Sequence, residues 1–207
     1  MSILLPPSPL PPKALLLDLD GVLLDTRPVM KRAWQQVLNE HGLDVPFEEY
    51  ERHLGRPFAD IMERLGFTES EQFHRTYDEA SIAASHLARE FDGAVEVLHA
   101  FVAAGWLLGI VTSKPLERAA PLLTNLRCPF STVRTPNGGG HGKPAPDPVL
   151  LALTDLGVDP ADAVYVGDMA VDQEAARRAE VPYVHAGWGY GCPGAPRPRS
   201  PSPLRTC

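Results

Sequence analysis

Cysteine is scarce in this chain. There are three in 207 residues, Cys128, Cys192 and Cys207, widely spaced, odd in number and without a CxxC pair. That argues against a disulfide framework and a cysteine zinc site, and fits a reducing compartment. No apolar run is long enough to span a bilayer. The opening "MSILLPPSPLPPK" has no basic n-region and is broken by prolines, so it does not read as a signal peptide. Basic clusters are also missing. The 19 Lys and Arg stand against 26 Asp and Glu, a formal net charge of −7, which speaks against a nucleic-acid partner whose phosphates need counter-charge. The seven histidines show no HExxH spacing, and no segment repeats. The expectation left is a soluble cytoplasmic protein, a monomer or weak homodimer, whose partner is a small molecule rather than nucleic acid or membrane.

What is present is enough for a real core: 44% hydrophobic and 22% charged residues in a length that suits one domain, or one domain carrying an insert. "ALLLDLD" (14–20) is a short continuous apolar run, the mark of a strand covered on both faces. From Arg27 to about Arg89 the spacing is helical and no convincing strand appears. "VMKRAWQQVLNEHG" and "FADIMERLG" each end at a glycine suited to cap a helix. Strands then alternate with helices: "LLGIVTS", "STVRT", "DAVYVGD" and "PYVHAG" as strands, with "LERAAPLLTNL", "DPVLLALTDLG" and "DQEAARRAE" among the helices. That alternation predicts an α/β fold, a Rossmann-like parallel sheet with helices on both faces and a small all-helical insert. The predicted boundaries are a Pro-rich tail at 1–13, a core at 14–26 and 91–187, the insert at 27–90, and a disordered tail at 188–207.

In such sheets ligands gather at the carboxyl ends of the strands. Here the first strand runs into Asp18 and Asp20, the second into Thr112 and Ser113, and another into Asp168 with Asp172 one helical turn on; Lys143 follows the third strand in "GKPAPDP". Two residues apart on a strand, Asp18 and Asp20 point the same way and can serve one reacting group, with Asp168 joining across the sheet. Clustered carboxylates repel unless a cation sits among them, and oxygen ligands beside a phosphate favour Mg²⁺. Lys143 and Thr112 would hold the anion from the other side.

This arrangement resembles the haloacid dehalogenase superfamily. "DLDGVLLD" is similar to its first motif, DxDGxxxD; "GIVTS" to its second; "GKPAPDP" to its third; "VGDMAVD" to its fourth, GDxxxD. All four occur in the family's order over about 14–187. The resemblance implies a Mg²⁺-dependent phosphatase of subfamily IA acting on a small phosphorylated metabolite, phosphoglycolate-like or a sugar phosphate. It implies Asp18 as nucleophile forming an aspartyl-phosphate and Asp20 as general acid, then base. Thr112 and Lys143 would hold the phosphoryl group, with Ser113 beside them. Asp168 would ligate the metal with the Asp18 carboxylate and the Asp20 carbonyl, and Asp172 would support it. Gly21 would turn the chain under the phosphate and offer its N–H. The insert would be the family's cap, with Arg56 in "GRP" a contact to an anionic substrate. The insert resembles that of phosphoglycolate-phosphatase-like members, and more closely the phosphatase-like proteins of 3-amino-5-hydroxybenzoate biosynthesis.

Other readings compete. A phosphosugar mutase of the β-phosphoglucomutase type shares all four motifs but typically has a histidine near the position of Met30. A dehalogenase usually lacks the carboxylate at Asp20. A biosynthetic-cluster partner protein with weak phosphatase activity has no need of the complete set. "NGGGHGK" fails as a Walker loop, because Asn137 stands at the first glycine and Pro144 at the Ser or Thr. Arg56 could simply pair with Glu48, Glu49 or Glu51, and Trp34 and Trp106 read as core. Relatives usually have a glycine near "RRAEVP"; Glu180-Val181 here is expected to shift the turn before the last strand.

Overall fold

The computed structural model describes residues 13–56, 58–67, 71–136 and 141–192. Its main sheet has five parallel strands: β1 (Ala14–Leu17), β4 (Leu107–Val111), β5 (Thr132–Arg134), β6 (Ala163–Gly167) and β7 (Tyr183–His185), in spatial order β5-β4-β1-β6-β7. The chain runs outward from β1 through β4 to β5, then crosses back to β6 and β7 on the other side. The switch point is therefore the carboxyl end of β1, where a crevice opens in sheets of this kind.

The apolar run of β1 is explained by its two covered faces. Leu16 packs in one cluster with Val149, Ala152, Tyr165 and Ala175, and Leu15 and Leu17 in another with Leu98, Ile110, Ala119 and Leu122. The first cluster is covered by α7 (Asp147–Leu156) and α8 (Ala170–Arg178), the second by α5 (Ala94–Ala103) and α6 (Leu116–Leu126). Pro121 is accommodated inside α6. Trp106 packs edge-on against Phe101 at 5.1 Å between ring centres.

Between β1 and α5 lie α1 (Arg27–His41), α2 (Phe47–Glu51), α3 (Phe58–Arg64) and α4 (Glu71–Ala83), which share their own apolar centre around Trp34, Tyr50, Met62 and Tyr77. Trp34 stacks on Tyr50 at 4.8 Å and donates its indole N–H to the Val45 carbonyl, so both halves of the side chain are satisfied. Gly42 ends α1 in the left-handed region (φ 65). The stretch is not free of strand: β2 (Leu24–Asp25) pairs antiparallel with β3 (Arg89–Glu90), a two-residue ribbon where the chain enters and leaves the helices. Two residues are too few to leave a periodic signature in sequence.

In the turn before β7, Glu180 takes the left-handed conformation itself (φ 58), and the Val181 N–H closes on the Ala176 carbonyl at 2.9 Å. A side chain there costs about 1 kcal/mol, so Glu180→Gly is expected to raise the unfolding midpoint by about 2–4 °C, read by thermal denaturation. The segment 188–192 is not a disordered tail. It lies against the core, with the Trp188 indole N–H donating to the Val22 carbonyl at 3.1 Å and the Tyr190 side chain inserted beside Thr26. The stretches 1–12 and 193–207 and the glycines of "NGGG" lie outside the described residues.

Candidate active site

Asp18 follows β1 directly and is buried. Its Oδ1 accepts from the Leu19 N–H at 2.8 Å, and its Oδ2 pairs with Lys143 Nζ at 3.0 Å. Because β1 ends at Leu17, Asp20 reaches the same crevice by a turn rather than by strand alternation. Gly21 makes that turn at φ 78, and a Cβ there would run into the Asp168 carboxylate. Its N–H is committed to the Leu24 carbonyl at 2.9 Å, which corrects the expectation that it faces a phosphate.

Lys143 is a buried cation among carboxylates. Besides Asp18 it meets Asp172 Oδ1 at 2.6 Å, the Val111 carbonyl at 3.3 Å and the Tyr165 hydroxyl at 3.3 Å. Those carboxylates hold its ammonium well above the ordinary lysine value despite burial. Asp172 is fully engaged: Oδ1 accepts from Lys143 and from the Tyr165 hydroxyl, and Oδ2 from the Met169 N–H at 2.9 Å at the start of α8. Its contacts are those of a residue that anchors the lysine and caps the helix.

Asp168 differs. Its Oδ2 accepts the Tyr190 N–H at 2.7 Å, but its Oδ1 is buried with no hydrogen-bond partner. Burial pushes this carboxyl up to about 6, against the pull of the Tyr190 N–H. Burial likewise holds Asp18 well above the usual carboxylate range, with Lys143 opposing and the neighbouring carboxylates reinforcing. Carboxylate oxygens of Asp18, Asp168 and Asp172 lie within 4.8 Å of one another. An orphaned buried oxygen beside the Asp18 carboxylate is the donor set a hard divalent cation takes, so the residues fit Mg²⁺.

A cavity of about 50 Å³ joins these groups to the helical insert. Asp18, Asp20, Thr112, Ser113 and Arg56 all line it, as do Lys114, Arg118 and Tyr190. Thr112 is buried and its hydroxyl oxygen accepts the Lys114 N–H at 3.1 Å. The Ser113 hydroxyl donates to the Gly55 carbonyl at 2.8 Å, tying the β4 loop to the insert. Arg56 pairs with Asp60 at 3.1 Å rather than with the glutamates of α2.

Sequence reasoning passed over five residues of this neighbourhood. Lys114 meets Asp20 Oδ2 at 3.2 Å, and Thr26 donates its hydroxyl proton to Asp20 Oδ1 at 2.5 Å, so Asp20 is gripped on both oxygens. Burial lowers the Lys114 ammonium against the pull of Asp20. Arg118 lies over the Tyr77 ring at 5.0 Å, and its Nε stands 2.9 Å from Asp78 Oδ1 at an angle that leaves both atoms without a hydrogen bond. Tyr165 and Tyr190 complete the set. The available signals were slight: a lysine two residues past a strand-end threonine, a tyrosine in the aliphatic strand "AVYVG", and "GWGYG".

A buried carboxylate paired with a buried lysine, beside a second carboxylate with an unpartnered oxygen, thus stands at the switch point of a parallel α/β sheet. The haloacid dehalogenase-like hydrolase family matches residues 15–186, and the chain belongs to that family. N-acetylmuramic acid 6-phosphate phosphatase of Pseudomonas aeruginosa is 32% identical over 86% of this chain and 83% of its own length. A phosphoglycolate phosphatase (plasmid) of Cupriavidus necator is 33% identical over 90% and 86%. Among solved structures, a hydrolase from Pseudomonas syringae superposes with a TM-score of 0.78 at 24% identity, covering 88% of this chain and 91% of that one, which shows the shared fold. Both of these relatives are named as phosphatases. Among the described residues no helix is long and apolar enough to cross a membrane.

Proposed function

We propose that this protein hydrolyses the phosphomonoester of a small metabolite carrying a second anionic group, with Asp18 as nucleophile and Mg²⁺ as cofactor. The observation that carries the reading is Asp18, held by Lys143 beside the unpartnered Asp168 Oδ1, facing a cavity whose lining includes Lys114, Arg118 and Arg56. Asp18 Oδ attacks phosphorus as the ester P–O bond breaks, and the Asp20 carboxyl gives its proton to the departing oxygen. Asp20, now a carboxylate, takes a proton from water; that water attacks the aspartyl-phosphate, releasing inorganic phosphate and restoring Asp18. Lys143 neutralises charge on Asp18 and on the phosphoryl oxygens, and Thr112 is placed to donate to them. Asp18 and Asp168 would hold Mg²⁺, whose Lewis acidity supplies further neutralisation of the phosphoryl oxygens. Asp172 acts through Lys143. Both phosphoglycolate and N-acetylmuramic acid 6-phosphate carry a carboxylate besides the phosphate, which suits the three cations. Met30, which lines the cavity from α1, cannot relay a proton, and this favours hydrolysis over a mutase.

Phosphate release is to be measured across phosphoglycolate, sugar phosphates, nucleotides and an aryl phosphate, with Mg²⁺ and with chelator. Mg²⁺-dependent release strongest on carboxylated esters is expected. No release from any ester by folded protein would sink the reading.

The metal site predicts a pH signature. A carboxyl near 6 in the fold and at its ordinary value when unfolded binds its proton more tightly in the folded state. Metal-free stability should therefore fall as pH rises through about 4 to 6, by an amount on the order of 3 kcal/mol from this group. Mg²⁺ should raise the melting temperature strongly above pH 6 and little below pH 5, where the proton competes for Asp168. Melting curves with and without Mg²⁺ test this; Asp168→Asn should abolish the Mg²⁺ effect and remove this group's share of the pH dependence, leaving that of Asp18.

A further inference from the structure

Residues 188–192 bring one side chain to a junction that the reaction scheme leaves unassigned. The Tyr190 phenol oxygen accepts the Thr26 N–H at 2.5 Å, and its own proton is within reach of Asp25 Oδ1 at 3.1 Å and the Leu24 carbonyl at 3.2 Å. It lies 3.4 Å from the Thr26 hydroxyl, the group that grips Asp20 Oδ1. These partners are β2 and the residue that opens α1, the first crossing from core to insert. The Tyr190 backbone N–H meanwhile donates to Asp168. Arg27 covers the ring with its guanidinium 4.5 Å from the centre. The glycines on either side let the strap lie flush: a Cβ on Gly191 would stand 2.8 Å from the Asp168 carbonyl oxygen, and one on Gly189 would press into the Asp168 side chain.

We infer that Tyr190 is a positioning residue whose hydroxyl fixes Thr26 and, through it, the orientation of Asp20 toward the departing ester oxygen. The hydroxyl and the backbone N–H have separable duties. The first serves Asp20; the second serves Asp168. Removing the hydroxyl alone should weaken proton delivery to the leaving group and spare the cation site. This inference rests on the phosphatase reading.

The leaving group provides the test. An alkyl phosphate needs a proton on its departing oxygen, whereas p-nitrophenyl phosphate leaves without one. The parameter kcat/KM reports steps through leaving-group departure, so later hydrolysis of the aspartyl-phosphate does not mask the effect. In Tyr190→Phe, kcat/KM for the best alkyl ester of the panel is expected to fall roughly 10-fold, within the range that acid–base assistance supplies. For p-nitrophenyl phosphate it should change less than about 2-fold, as an unassisted departure requires. Thr26→Val should show the same split, and the double variant should lose no more than the larger single loss, because the two act in series. The Mg²⁺-induced rise in melting temperature should match that of the unaltered protein. Equal losses on both esters, an undiminished alkyl rate, or a lost Mg²⁺ shift would overturn the assignment. Failure of the unaltered protein on both esters would overturn the phosphatase reading, and this one with it.

Discussion

Asp18→Asn is expected to abolish turnover, by at least about 10⁴-fold, because a carboxamide does not form the acyl-phosphate bond. The same variant is expected to be no less stable than the unaltered protein when metal is absent. Asp18 is buried and its carboxyl is held well above the usual range, first by desolvation and then by its acidic neighbours, so its charge at neutral pH is a burden on the fold. An amide removes that charge, and Lys143 keeps its 2.6 Å contact with Asp172. Phosphate release and melting temperature in chelator check the two halves. A melting temperature more than about 3 °C below the unaltered protein, about 1 kcal/mol at this chain length, would show that the Asp18–Lys143 pair is a net structural support.

Lys143→Met is expected to go the other way on stability while also losing activity. Removing the ammonium leaves Asp18 and Asp172 buried beside Asp168 without the cation that balances them. Breaking a buried pair from one side costs about 3–5 kcal/mol, or about 6–20 °C in melting temperature. The sign of its pH dependence follows from the carboxyls. Asp18 and Asp168 already bind protons more tightly in the fold than in the unfolded chain, and losing the opposing lysine strengthens this, so the variant's stability falls as pH rises. The deficit should be small near pH 4.5 and largest near pH 8. Adding Asp172→Asn should restore part of the stability and none of the activity. Melting curves across pH, with phosphate release alongside, decide it; a deficit independent of pH would mean that packing, not charge, was lost.

These opposite outcomes for two ends of one ion pair arise from the ratio of charges at the site, which sequence spacing does not convey. Asp18, Asp20, Thr112, Lys143, Asp168 and Asp172 were each legible, because strand-end positions in a parallel sheet converge on one rim whatever the intervening loops do. Their division of labour was not. Asp172 read as a support of the metal site, and its carboxylate does lie with those of Asp18 and Asp168, but its hydrogen bonds with Lys143, Tyr165 and the Met169 N–H could not be read from spacing. Ser113 read as a substrate contact, yet its hydroxyl is donated to the insert at Gly55. Gly21 read as an N–H donor to phosphate, yet that proton is spent on Leu24. Hydrogen-bond partners depend on tertiary neighbours, and one residue pattern is compatible with several of them.

The sequence alone determined the sheet and its helices, through apolar runs, helical spacing and four ordered motifs, because periodicity and turn chemistry are local. The family was legible through the resemblance of those four motifs to a known set. Only the tertiary structure decided that Lys114 and Thr26 grip Asp20 and that Arg118 lines the cavity. It alone placed Tyr190 between Asp168 and the first crossing to the insert. Tyr190 and Thr26 are 164 residues apart, and what joins them is the return of the chain past β7 to the carboxyl end of β1. A contact across that distance exists only once the sheet has closed around its first strand.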